Sequence, residues 1–179
     1  MEEEKITFSV QMTAKEIFKF TLYHVYSRFA GIFGIVLSLA ALVMLIVSFH
    51  SLSDQSKTVL TLVAAWYILI YPIMLYVRAG GQAKRNPSYQ KPLFYQIDQS
   101  GITVSQEEVS QTVTWDHFVK LVETRSQYLI YTNRVHAFIF PKKEIGIGSD
   151  VFNQRVIQYI EETNIRLKGS IRKQKHKNG

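Results

Sequence analysis

The chain has no cysteine among its 179 residues. That excludes disulfides, thiol catalysis and cysteine-ligated metal, while leaving the compartment open. It has no Asn-x-Ser/Thr acceptor either, because Asn86 is followed by Pro87. Its five histidines, at 24, 50, 117, 136 and 176, lie in different segments, and none makes an i, i+4 pair with another ligand. A metal centre therefore lacks its ligand set. Charge is missing altogether from two long stretches, the 21 residues Phe29–Phe49 and the 19 residues Val59–Val77. A cleavable leader is not expected: the first stretch starts late, exceeds a signal-peptide core and follows the acidic Met1-Glu-Glu-Glu4.

What is present follows from those two stretches. About 20 apolar residues, rising about 1.5 Å each in a helix, cross a hydrocarbon core about 30 Å thick. Backbone in lipid must satisfy its own polar groups, so both stretches are expected to be helices. The connector HSLSDQSKT is short and polar, which gives a two-helix transmembrane hairpin over 29–77. A transporter acting alone is disfavoured, because a pathway through lipid would want an ionisable group and neither helix has one. Ala30, Gly34 and Ser38 sit four apart with Gly31 adjacent. Such small residues let helices approach closely, either in a dimer or, the preferred reading, against the second helix of the same chain. Pro72 predicts a mild kink near Ile68–Pro72.

The net charge of +7 is unevenly placed. Leu93–Thr163 holds six Lys/Arg against nine Asp/Glu, a net of −3, so the positive charge lies beside the apolar stretches and in the tail. This points to a membrane surface rather than nucleic acid. Lys5, Lys15, Lys19 and Arg28 precede the first stretch, and Arg78, Lys84, Arg85 and Lys91 follow the second, whereas the connector holds only Lys57. Positive charge stays inside, so both termini are expected in the cytoplasm and Ser51–Thr58 outside, in a two-span protein of the cell membrane.

Residues 1–28 read as a strand and an amphipathic helix. Ile6, Phe8, Val10 and Met12 alternate with polar residues. Thr13-Ala-Lys-Glu16 fits a reciprocal capping box before a helical stripe of Ala14, Ile17, Phe18, Leu22 and Val25. That helix either lies among lipid headgroups, its lysines on anionic lipid, or packs on the soluble domain or extends the first span. The aromatics Phe18, Phe20, Tyr23 and Tyr26 narrow its polar face and favour the latter pair. Residues 78–92, with Gly80-Gly81, Pro87 and Pro92, read as a basic linker.

From Leu93 the period becomes that of strands. Leu93–Asp98, Ile102–Ser105, Val109–Trp115, Phe118–Thr124, Tyr128–Thr132 and Val135–Phe140 are six short segments with polar breaks, as in an antiparallel sandwich or barrel. The last ones are nearly continuous in apolar residues and are expected to be central. Ser149 and Asp150 are candidate caps for a helix over Val151–Thr163, whose stripe Phe152, Val156, Tyr159 and Ile160 should cover the sheet. Residues 166–179 carry six Lys/Arg and read as a disordered basic tail.

Three stretches carry a resemblance: Tyr95-Gln-Ile-Asp-Gln-Ser-Gly-Ile102, Thr114-Trp-Asp-His-Phe-Val119 and Ala137-Phe-Ile-Phe-Pro-Lys-Lys143. With the two spans and the final helix, they resemble the bacterial YcxB-like family. The resemblance implies a pleckstrin-homology (PH)-like domain over 93–165, a strongly bent antiparallel sheet closed by one C-terminal helix. The fold class is then α+β: a transmembrane helical hairpin plus that domain. Such a sheet has seven strands, and Ile6–Met12 is the candidate for the seventh. The resemblance implies no reaction, ligand or catalytic residue.

Asp116-His117 invites an acid–base or metal reading, but Asp116 more simply begins a turn and His117 a surface. Gly146-x-Gly148 lacks the strand context and Lys-Ser/Thr of a phosphate loop. No cofactor, metal or small-molecule substrate is expected. The candidate lipid-headgroup contacts are Lys84, Arg85, Lys142, Lys143, Arg172, Lys173 and Lys175; for Lys142 and Lys143 a solvated strand end is the simpler reading. The leading expectation is a non-catalytic binding module at the inner leaflet, engaging a protein partner or its own copies. The alternative is an accessory subunit of a larger membrane complex recognised through its hairpin.

Overall fold

The structure is a computed structural model that describes residues 5–146, 149–160 and 166–168. It is a mixed α/β fold with two apolar helices and two sheets. The first helix of the pair, α2 (Phe29–Val47), opens after a break at Ser27-Arg28 that separates it from α1 (Ala14–Tyr26). The second is longer than its apolar stretch. It starts in the connector at α3 (Asp54–Ala65), where Ser53 caps it by accepting from the Ser56 N–H. It then passes through a π turn, Trp66–Ile70, into α4 (Tyr71–Arg85). Both helices are long and apolar enough to cross a membrane. Their outer faces are bare, with Phe29 84% and Val47 79% exposed.

The seam between them uses small residues, although not quite those expected. Gly31, Gly34, Ser38 and Ala41 are buried, and Ala30 is not. A methyl on Gly34 would lie 2.4 Å from the Tyr67 ring, and Ser38 Oγ donates to the Val63 carbonyl at 2.8 Å. The small residues thus let α2 and the second helix of the same chain touch. Gly31 instead faces the α1–α2 corner, where a methyl would meet the Val25 carbonyl oxygen at 2.2 Å.

Pro72 follows a local departure from the α-helix. In the π turn the Tyr71 N–H donates five residues back, to the Trp66 carbonyl. The same register would pair the Tyr67 carbonyl with residue 72, but proline has no N–H to give. Tyr26 Oη donates to that carbonyl instead, at 2.6 Å. The Tyr26→Phe variant is expected to lower stability by about 1 kcal/mol, the scale of hydrogen bonds between apolar helices. Unfolding of the detergent-solubilised chain in mixed micelles measures it.

Gly80-Gly81 does not end the helix. α4 continues to Arg85, and the basic linker shrinks to the residues after it. Helix propensity is outweighed here by packing: Leu75 and Ala79 are buried, Ala79 within the domain core, and Phe18 of α1 meets Tyr76 edge-on at 5.4 Å.

The β domain is two four-stranded sheets. The first orders β1 (Ile6–Val10), β2 (Leu93–Asp98), β3 (Gly101–Gln106) and β4 (Val109–Thr114), all antiparallel. Of Ile6–Met12, the part Ile6–Val10 therefore does join the C-terminal strands, with Ile6 opposite Ile97 and Val10 opposite Leu93. The second sheet orders β7 (Ala137–Pro141), β6 (Gln127–Tyr131), β5 (Lys120–Glu123) and β8 (Arg166–Lys168). β6 is buried along its whole length, as expected of a central strand, whereas β7 is an edge. β8 corrects the expectation that residue 166 begins a disordered tail. Its backbone runs parallel to β5 and occupies an edge whose N–H and C=O groups need partners. Helix α5 (Ser149–Ile160) closes the core, with Phe152 stacked on Tyr128 at 4.5 Å and Tyr159 on Trp115 at 6.3 Å.

Candidate functional site

Helix α1 is the joint between the apolar helices and the β domain. Its capping box forms only in half. Thr13 Oγ1 accepts from the Glu16 N–H at 3.3 Å, but the Glu16 carboxylate has gone elsewhere. It is buried, and its Oε2 accepts from Gln127 Nε2 at 2.7 Å; the same amide also donates to the Glu16 carbonyl at 2.9 Å. Lys19 Nζ lies 3.3 Å and Lys143 Nζ 3.9 Å from the other carboxylate oxygen. Thus α1 is bonded to β6 by a buried polar contact spanning 111 residues of sequence. Further along, Phe20 and His24 lie on Tyr131, and the Arg28 guanidinium donates to the Arg134 carbonyl.

His24 gives this joint a pH dependence. Desolvation, with Arg28 and Lys120 nearby, pushes its pKa below the ordinary 6.5. Burial lifts the facing Tyr131 phenol to about 12, so the phenol stays protonated. The folded state prefers the neutral imidazole, so the unfolded chain binds more protons at and just below pH 6.5. Stability present above that pH is expected to fall as acid is added through it, and His24→Asn should remove this part of the dependence. Thermal midpoints from pH 7.5 to about 5.5 check it.

One side of this joint is a cavity of about 590 Å³. Its apolar wall combines Leu22, Tyr23 and Tyr26 of α1 with Ile35 of α2 and Tyr67, Ile68 and Pro72 of the second helix. Its polar rim is Lys19 and the β5–β6 turn, Thr124–Gln127. That turn is tight: the Thr124 N–H donates to the Gln127 carbonyl at 2.9 Å, and the Gln127 N–H to Thr124 Oγ1 at 3.0 Å. Arg125 is left exposed at its tip.

The candidate headgroup lysines separate into three groups. Lys142 is used internally: its Nζ donates to the nearly buried Glu123 at 2.6 Å and lies 4.9 Å from the Tyr128 ring centre. It ties the end of β7 to β5. Lys143 is 62% exposed but sits beside Glu16 and Glu144. Lys84 and Arg85 are exposed in the last turn of α4, where a cation suits the helix dipole. Arg172, Lys173 and Lys175 lie outside the described residues. Sequence reasoning missed Lys19, Gln127 and Arg125 as neighbours, and Glu16 as the shared partner of Lys19 and Gln127. Asp116 and His117 stand on the exposed 3₁₀ turn Trp115–His117, where a hydrogen bond from Thr114 holds the Asp116 carboxyl below its usual range. Among the described residues no group of three His, Cys, Asp or Glu is placed to hold a metal.

The model of the family described as YcxB-like protein matches residues 97–150. Over that segment the chain is similar to that family. The searches of curated proteins and of solved structures each found no match. The matched segment runs from the end of β2 into α5, and its distinctive residues build one corner. Trp115 Nε1 donates to the Asp98 carbonyl at 2.9 Å. The Asp98 side chain accepts from the Ser100 N–H and hydroxyl and from Gln96. Burial works against its charge, but those bonds and the backbone hold its pKa below the ordinary value. Gly101 follows at φ +148°. The segment contributes Arg125, Gln127 and Lys143 to the joint, while Glu16, Lys19 and both apolar helices lie outside it.

Proposed function

We propose that the protein is a membrane-anchored binding module: two spans, both termini in the cytoplasm, and a PH-like β domain held against the inner leaflet to engage a partner protein or a second copy. The membrane placement is supported by the bare apolar faces of α2 and α3 and by the bias of Lys and Arg away from the connector. The PH-like reading is supported by two antiparallel four-strand arrays closed by α5, with one short parallel pair at β8.

The observation that carries the binding role is the free edge of β4. Among the described residues β4 pairs with β3 alone, and its six residues VSQTVT are uncharged and almost wholly exposed. Natural proteins protect such edges with lysine, proline or a bulge, none of which β4 has. An open, uncharged edge is suited to adding an extended segment as a further strand.

A Gln111→Cys variant, cross-linked in native membranes, tests this. A discrete adduct with another protein or a second copy is expected, and Val109→Lys with Thr112→Lys should abolish it. An adduct-free chain contradicts the proposal. Exchanging residues 36–62 for an unrelated helical hairpin with its own polar connector leaves the α1–α4 packing in place. Loss of the adduct after that exchange favours recognition through the spans instead.

A further inference from the structure

The cavity beside α1 has a chemical gradient along its length. Lys19, Leu22, Tyr23 and Tyr26 follow an i, i+3, i+4, i+7 course, one face of α1 about 10 Å long. The cavity's cations are Lys19 and Arg125, and its wall at Ile35, Ile68 and Pro72 is drawn from the apolar helices, where Ile68 is 39% exposed. About 590 Å³ falls inside the range of small-molecule sites.

From this geometry we propose that the groove holds one anionic phospholipid of the inner leaflet, its phosphate between Lys19 and Arg125 and one acyl chain along Leu22, Tyr26, Ile35 and Ile68. A soluble anion would gain nothing from the apolar arm, and a plain hydrocarbon nothing from the two cations. Lys19 already faces Glu16, but its side chain keeps 32% of its surface and its ammonium has further donors. One Glu16 oxygen is occupied by Gln127, and Lys143 approaches the other, so the rim keeps a positive excess. Arg125 makes no ion pair among the described residues, and a guanidinium matches a phosphate with two parallel donors. The lipid would thereby bridge α1, both spans and the β5–β6 turn. The inference rests on the membrane placement proposed above.

Full-length protein is reconstituted in vesicles of equal parts phosphatidylcholine and phosphatidylglycerol, extracted into detergent, and weighed intact by native mass spectrometry. One phosphatidylglycerol per chain is expected, well above phosphatidylcholine. Arg125→Gln, at an exposed position that leaves the fold intact, should weaken retention about tenfold, the loss of one charge-assisted contact. Leu22→Trp, which fills the apolar arm without changing charge, should reduce it too. Arg134→Gln removes an equal charge from an exposed turn outside the groove and should leave it unchanged. Equal retention of both lipids, or equal loss from Arg125→Gln and Arg134→Gln, overturns the inference. Failure to enter vesicles at all contradicts the membrane placement instead, so the two results are distinct.

Discussion

Replacing Gln127 by alanine is expected to lower the stability of the β domain by about 2–4 kcal/mol. Its side-chain amide makes two bonds to Glu16, one to the carboxylate and one to the carbonyl, and both are buried. Alanine offers neither donor and leaves a void where the amide packed. The carboxylate would keep Lys19 and Lys143, but both cations are partly in water and their attraction is screened. Glu16→Gln should cost less, because an amide pair can replace the bond and the freed cations can turn to solvent. Gln127→Glu should cost most at neutral pH, since two carboxylates would share one enclosed site. One of them must then take up a proton, so that variant alone should regain stability on mild acidification. Thermal unfolding of the solubilised full chain, followed by fluorescence of the buried Trp115, ranks the three. Equal costs for all would mean that the contact is only packing.

The second large effect is at Gly101. Its φ of +148° is a backbone region that side chains rarely enter, and an added methyl would lie 2.1 Å from the Val113 carbonyl oxygen. That atom is backbone, so no rotation of a neighbouring side chain relieves the overlap. Gly101→Ala is expected to cost about 3 kcal/mol or more, combining backbone strain with separation of β3 from β4. The contrast is Gly80, helical and with open space where a methyl would go. Gly80→Ala should raise stability by about 0.5–1 kcal/mol. Opposite signs for the two substitutions, in the same unfolding experiment, are the expected result.

The parts of the fold set by local pattern could be read in the sequence. Uncharged length gave the two helices, alternation and short apolar runs gave β2 to β7 and a strand at Ile6–Met12, and the family resemblance offered that strand as their companion. The Trp115-Asp116 turn was legible for the same reason. The features that were not legible depend on residues distant in sequence. Gly80-Gly81 reads as a break until α1 is known to lie along α4 and make the helix worth continuing. Glu16 reads as half of a capping box until β6 brings Gln127 beneath it. Lys142 reads as a free cation at a strand end until β5 presents Glu123 beside it. The cavity is the strongest case: its wall is drawn from three helices and its rim from a turn.

The absence of cysteine makes the central claim directly measurable, because each introduced thiol is the only one in the chain. Ser51→Cys, in the connector, and Glu108→Cys, at the β3–β4 turn, are both exposed positions in the folded protein. With a membrane-impermeant maleimide on intact cells, the account expects label at position 51 and none at 108 until the cells are lysed. Label at 108 before lysis, or at both positions alike, would contradict a β domain anchored on the inner face of the membrane by two crossing helices.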